Sequence, residues 1–446
     1  MYLEFLTNPV LIAVVVLLVL SVLRLNVVFS LIISSIVGGL CAGIDPIVTM
    51  KAFAKGLSNG AEIAFSYAML GAFSIAISRS GITELLAHLL FKRIGMADTP
   101  KKLFAFKYTL LFILTCIAIS SQNLIPVHIA FIPILIPPLL HVFEKLQLDR
   151  RMIACILTFG LITPYMFLPY GFGKVFLHGV ILKNLNINGL DVAADVAYEA
   201  MWIPALGMLC GLLFAIFVSY RKPRIYDESK TQEFMPENVQ FKPLPIIAGV
   251  VAIVGGFVSQ LLWGSLVVAS LAGILIFVIA RVISIRDTQD VFTKGVYLMG
   301  GIGIVMIGAQ GFASVMNETG AIQELVDMIS GSMADQRGLA VFMMLFIGLI
   351  ITMGIGSSFS TVPLIAAIYV PLCIKMGISP VATFSIVAVA GALGDAGSPV
   401  SESVLGPTSG LNADGQHDHI YDSTVPTFIH FNIPLLIFGW IAGMVL

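Results

Sequence analysis

The chain has 446 residues, of which 58% are hydrophobic and 11% charged, with a net charge of −1; its mean hydropathy is +1.00. Soluble domains carry about 25% charged residues, so this composition excludes an ordinary water-soluble domain and points to lipid as the main solvent. The balanced charge gives no sign of nucleic-acid binding, and the five cysteines stand singly without a CxxC pair, so redox and metal roles are not expected.

Apolar runs recur along the whole chain, at 10–23, 27–41, 63–77, 201–218, 246–262, 266–279, 339–352 and 428–446. They do not alternate as barrel strands would, so they predict an all-α polytopic membrane protein. The first run lacks a basic flank and a small-residue cleavage site, and is not expected to be a cleaved leader. A polar stretch, "YRKPRIYDESKTQEFMPENVQFKP" at 220–243, divides a first membrane half, 1–219, from a second, 244–446. It reads as an exposed cytoplasmic linker.

The halves resemble each other. Residues 52–91 align with 291–330, matching Phe53 with Phe292, Lys55-Gly56 with Lys294-Gly295, Phe73 with Phe312 and Gly81 with Gly320. "SSQNLIP" (120–126) overlays "SSFSTVP" (357–363). With the Lys/Arg clusters near 92, 101, 150, 221 and 281–294 placed inside the cell, loops at Lys55 and Lys294 fall on opposite faces. The expectation is two inverted-topology repeats, about ten transmembrane helices and two re-entrant hairpins, around 104–143 and 338–376.

Transporters of that plan place their site near the bilayer midplane, on interrupted helices. Ser120, Ser121, Gln122 and Asn123 split one pair of apolar arms; Ser357, Ser358, Ser360 and Thr361, with Gly354, Gly356 and Pro363, split the other. Glycine loosens a helix and proline removes a donor, leaving carbonyls free beside the hydroxyls. Such oxygen-rich tips suit Na+ or a polar solute. A lone membrane serine more often bonds its own helix, but two clusters at equivalent places favour function.

The stretch "GALGDAGSPVSESVLGPTSG" (391–410) puts Asp395 and Glu402 between long apolar runs. A carboxylate near the bilayer centre costs about 2.5–3.5 kcal/mol on insertion scales, so it is a functional candidate by default. Gly397 and Pro399 are expected to break the helix and let both acids converge with Ser398 and Ser401 on one cavity. The competing reading is a wet loop, to which Glu402 is more open than Asp395. His128, in the arm after Asn123, is a further candidate to touch solute or titrate near neutral pH. Glu62 heads an apolar run and reads as an interfacial helix start; "HDHIYD" (417–422) reads as a loop or gate element.

Gly394, Asp395, Ser398, Pro399 and Ser401, followed by Asp418, His419 and Pro426, resemble the signature of NhaC-type Na+/H+ antiporters within the ion-transporter superfamily. Glu402 stands where that signature has aspartate, Ala396 where it usually has histidine, and Ser423-Thr424 where it has Thr-Gln. The length and the division near 220 are closer to a subgroup associated with amino-acid uptake, histidine among the candidate solutes.

The resemblance implies a secondary transporter in a bacterial inner membrane, not an enzyme, coupled to Na+ or H+ and without another cofactor. It would move a small polar solute, an amino acid or an organic anion, with Na+/H+ antiport as the alternative. A Na+ site at Ser121, Asn123, Ser358, Thr361 and Asp395 is expected. So are contacts with lipid and an ion or solute, none with nucleic acid, and a homodimer as an open arrangement. An intramembrane aspartyl protease is a remote alternative, because the chain has GxxGD at 391–395 and its Tyr-Asp pair, Tyr226-Asp227, lies in the linker. No HExxH or GxxxxGK[ST] occurs.

Overall fold

The computed structural model describes residues 7–446 except 24, 83–84, 86–98, 124–131, 134, 194, 233–241, 322–323, 325–335 and 357. Among the described residues it is helical throughout. The principal helices are α1 Pro9–Val22, α2 Val27–Cys41, α3 Pro46–Ser78, α4 Pro100–Asn123 and α5 Arg150–Phe167. They continue as α6 Phe172–Ile187, α7 Val196–Ser219, α8 Pro243–Trp263, α9 Leu266–Ile279, α10 Thr288–Glu318, α11 Arg337–Ile355, α12 Ser358–Lys375, α13 Pro380–Ala392 and α14 Glu402–Leu411. The last is α15, His419–Val445.

Starts are written in the sequence. Asn8, Asn26, Asp45, Asp149, Ser265, Ser379 and Ser401 each accept a backbone N–H as N-cap, and Pro9, Pro46, Pro243 and Pro380 sit at the first helical position, where no N–H is needed. Seven described helices are long and apolar enough to cross a membrane, or eight if the bent pair α5–α6 is one span; five shorter apolar helices of 10–17 residues complete the set. The number near ten expected from sequence is reached only by counting some of the short ones. At about 1.5 Å per residue, a helix of α1's length falls short of a ~30 Å hydrocarbon layer.

Laid side by side in chain order, α1–α4 stand against α8–α11, α5 against α13, α6 against α14 and α7 against α15, the register used below. Gly81 and Gly320, aligned by sequence, both take positive φ just beyond α3 and α10. These two long helices pack antiparallel. A Cβ on Gly56 would lie 2.4 Å from the Gln310 carbonyl, on Gly60 2.7 Å from Ile307 Cα, and on Gly71 2.3 Å from the Gly295 carbonyl. The numbering falls along α10 as it rises along α3, and under the repeat Gly56–Gln310 maps onto Gly295–Gly71. Equivalent helices therefore run in opposite directions. Lys55 and Lys294 lie within these helices rather than in loops.

The inner layer is α5 and α13. Every residue of 152–166 on α5 and 382–392 on α13 is buried, whereas Phe112, Val251 and Leu275 on α4, α8 and α9 point outward. A helix apolar all round and enclosed on every side belongs to the core of a bundle. This places the ends of α5 and α13 deep inside.

Candidate functional site

The helix α13 stops at Ala392 because the chain then turns through Gly394 and Gly397, with φ +89° and +104°. Only glycine takes these angles without strain. Space is equally restrictive: a Cβ on Gly394 would stand 2.6 Å from Met353 N, and one on Gly397 2.5 Å from Phe428 Cα. The break is held by Asn432 Oδ1, which accepts the Gly394 N–H at 3.0 Å, and by Ser398 Oγ, which donates to the Met353 carbonyl at 2.8 Å. Ser398 thus pins the loop to α11 rather than facing Asp395.

Asp395, 7% exposed, hangs in this break between the end of α13 and the start of α14. Tyr165 Oη donates to its Oδ2 at 2.6 Å and Ser358 Oγ donates to the same oxygen at 2.9 Å. Ser401 Oγ donates to Oδ1, and Ser403 Oγ reaches the same oxygen at 3.4 Å. Tyr165 and Ser358 also meet each other at 3.0 Å. No cationic side chain among the described residues pairs with Asp395. Hydroxyl donors and the positive end of the α14 dipole stabilise a carboxylate, each hydrogen bond to a charge contributing roughly 1.5–3 kcal/mol. They leave its net charge unneutralised.

The four hydroxyls come from three separate elements. Tyr165 lies near the end of α5, its ring edge-on to Phe172 and Phe176. Ser358 opens α12 after the Gly356 cap of α11, and Ser401 and Ser403 flank the start of α14. Tyr165 and Ser403 escaped sequence reasoning. Counting back from the helix starts at Pro380 and Arg150, Tyr165 is the repeat counterpart of Asp395; that alignment was the signal available for it.

The other expected residues divide. Thr361 is fully buried one turn beyond Ser358. Ser121 donates back to the Ala118 carbonyl at 2.9 Å, the ordinary bond of a serine within its own helix. Asn123 Oδ1 accepts the Gly173 N–H at 2.9 Å and ties the end of α4 to the α5–α6 break. Neither hydrogen-bonds to the Asp395 group, and Ser120 is half-buried on α4. Glu402, at the first position of α14, lines a separate cavity with Tyr67 and acts on Asp395 through like charge; the two acids do not share one cavity wall. His128, Ser357 and the Ser360 side chain lie outside the described residues.

At the far end of α5 a second buried carboxylate is treated differently. Arg150 Nη1 and Nη2 grip Asp414 Oδ1 and Oδ2, each at 2.6 Å, with both side chains fully buried. The guanidinium also stacks 4.2 Å over Tyr226, whose hydroxyl accepts the Arg150 N–H. Arg224 pairs with Asp422 at 2.7 Å, and Gln416 receives the Asp227 N–H at 2.7 Å. The first residues of the linker are therefore docked rather than free, and "HDHIYD" is part of the surface that holds them. Tyr226 lies at the start of α5, roughly 22 Å along the helix from Tyr165, so Asp227 and Asp395 form no aspartyl dyad.

Residues 156–440 match the Na+/H+ antiporter family and residues 8–94 a second Na+-H+ antiporter family. The chain is 55% identical over 440 residues to an uncharacterized membrane protein of Vibrio parahaemolyticus, VP2115, covering 98% of this chain and 100% of that one. It is 46% identical over 444 residues to YuiF of Bacillus subtilis, provisionally named an amino acid transporter, covering 98% and 100%. Among solved structures it resembles MtrF of Neisseria gonorrhoeae, described as illuminating a class of antimetabolite efflux pumps. That match has 17% identity and a TM-score of 0.41, over 90% of this chain and 85% of MtrF. The chain is an integral multi-pass membrane protein of the Na+/H+ antiporter family.

Proposed function

We propose that the protein is a cation-coupled secondary transporter in which Asp395 takes the coupling Na+ or H+, and that its solute is small and polar, an amino acid first. One observation carries this reading: a buried carboxylate, at a helix break, with hydroxyl donors on both oxygens and no cationic side chain beside it among the described residues. A charge so buried favours an arriving positive charge, and a group that must be neutralised from outside is what coupling needs. Na+ would draw on Asp395 with the oxygens of Ser358 and Ser401, whose O–H groups can turn away; a proton would go to the carboxylate itself.

Tyr165 on α5 and Ser358 on α12 bring both halves of the chain to one carboxylate. Neutralising it removes what holds those hydroxyls inward, which supports alternating access by movement of one half against the other. The provisional name of YuiF supports an amino acid as solute. Plain Na+/H+ antiport without an organic solute is the second reading, favoured by the family itself. We place it in a bacterial inner membrane, and the positive-inside pattern supports a cytoplasmic side for 220–243.

The test is flux into proteoliposomes with Na+ and pH gradients imposed separately, using a panel of labelled amino acids. Gradient-driven uptake of at least one is expected in the wild type and not in D395N. Proton flux on a Na+ jump with no amino acid taken up would favour the antiporter, and wild-type flux by D395N would remove Asp395 from the mechanism.

A further inference from the structure

A cavity of about 250 Å³ lies beside the Asp395 group. Its polar wall comes from three places: Glu62, Ser66 and Tyr67 on α3, Gln260 and Ser265 at the α8–α9 turn, and Glu402 at the start of α14. Glu62 and Ser66 are one helical turn apart and share a face. Two carboxylates face the space, and among the described residues no lysine, arginine or histidine lines it.

Two further buried groups face the space. Tyr67 is 2% exposed, and its hydroxyl faces the Glu402 carboxylate without reaching full hydrogen-bond geometry. Gln260 Oε1 is buried with no donor among the described residues. Leaving such a group unmet costs about 1–3 kcal/mol, so a ligand that supplied donors here would recover that loss. The wall is rich in acceptors and negative in charge, which is the complement of an ammonium: three N–H donors, one positive charge and no acceptor. The space far exceeds a bare metal ion yet is below the usual ~300–1,000 Å³ of ligand pockets, a size for a solute no larger than an amino acid. Leu70 and Leu266 give its stem an apolar wall.

We propose that this cavity is the solute pocket and that it binds the primary ammonium group of a small organic solute between Glu62 and Glu402. The proposal rests on the solute-transporter reading above and adds the group by which the solute is recognised. It also assigns Glu62 a role that its place at the head of an apolar run did not reveal.

The experiment is calorimetric titration of the purified full-length protein with each of the twenty amino acids. Every binder is then repeated as its decarboxylated amine and as its deaminated acid, and NaCl is titrated alone. The amine is expected to bind within about tenfold of the parent and the deaminated acid at least about 100-fold more weakly. E62Q and E402Q should each weaken the amine about tenfold or more, with E62D recovering most of it and the unfolding temperature of each variant unchanged. Binding by no amino acid and no amine, equal binding of the deaminated acid, or an NaCl heat abolished by E62Q would each overturn the proposal. No gradient or turnover enters this measurement, so its failure is distinct from a failure of Asp395 coupling.

Discussion

Two of the buried aspartates, Asp414 and Asp395, are treated in opposite ways. Asp414 is clamped by both nitrogens of Arg150, so its charge is cancelled within the fold. Among the described residues Asp395 meets only hydroxyls, which shape and orient a negative charge without removing it. A buried ion pair that is complete resists change, since breaking it strands a charge. A buried carboxylate that lacks its cation is complete only when one arrives. The contrast separates a lock from a binding site, although the two aspartates are linked by the same helix, α5.

The contrast breaks most visibly by neutralising each acid in turn. Asn at 395 keeps the shape and loses the charge, and gradient-driven flux in proteoliposomes is expected to fall at least about 100-fold with the yield of folded protein preserved. At the other end, R150M leaves Asp414 buried and unpaired, and removing one partner of such a pair costs about 3–5 kcal/mol. Thermal unfolding in detergent should show that loss, and R150M stability equal to wild type would show that the clamp carries no weight.

A finer probe is Y165F. It removes one donor from Oδ2, a bond to a charged acceptor worth roughly 1.5–3 kcal/mol, so the coupling-cation concentration for half-maximal transport is expected to shift about tenfold or more. An unchanged half-maximal concentration would mean that Tyr165 merely packs against Phe172 and Phe176.

The smallest effect concerns pH at the lock. Burial works against the Asp414 carboxylate, but the Arg150 and Gln416 side chains outweigh it and hold its carboxyl below the usual range. Burial pushes the neighbouring His417 imidazole down to about 3, and its Nε2 meets Ser423 Oγ at 2.7 Å. The neutral His417 contributes its full stability above its ordinary value near pH ~6.5 and loses it as pH falls toward the folded value. The ionised Asp414 contributes above about pH 4 and loses its share below. Both act in one direction, so acid loosens this end. The unfolding temperature should fall between pH 8 and 5, and H417Q should flatten that slope.

Much of the central site was legible because lipid makes polarity conspicuous. Asp395, Ser398 and Ser401 interrupt apolar sequence with glycine and proline, and the break falls there. What that pattern could not show is which hydroxyl faces which acceptor. Ser398 and Ser401 are close in sequence, yet one bonds a carbonyl of α11 and the other the carboxylate. Tyr165 sits in an apolar run where an aromatic residue carries no warning, and only its register with Asp395 in the other half marks it. The Arg150–Asp414 lock joins residues far apart in sequence, each of which reads alone as a loop charge. The repeat was visible in the paired Lys-Gly and Ser-Ser motifs; the opposed packing of α3 and α10 required coordinates.

The most direct measurement is charge displacement on a solid-supported membrane after a jump in Na+ or in pH, with no solute present. In the wild type, one of the two jumps should move charge transiently as the cation reaches Asp395, and in D395N that transient should vanish. An undiminished transient in D395N would mean that the cation is received elsewhere and that Asp395 is one more structural acid.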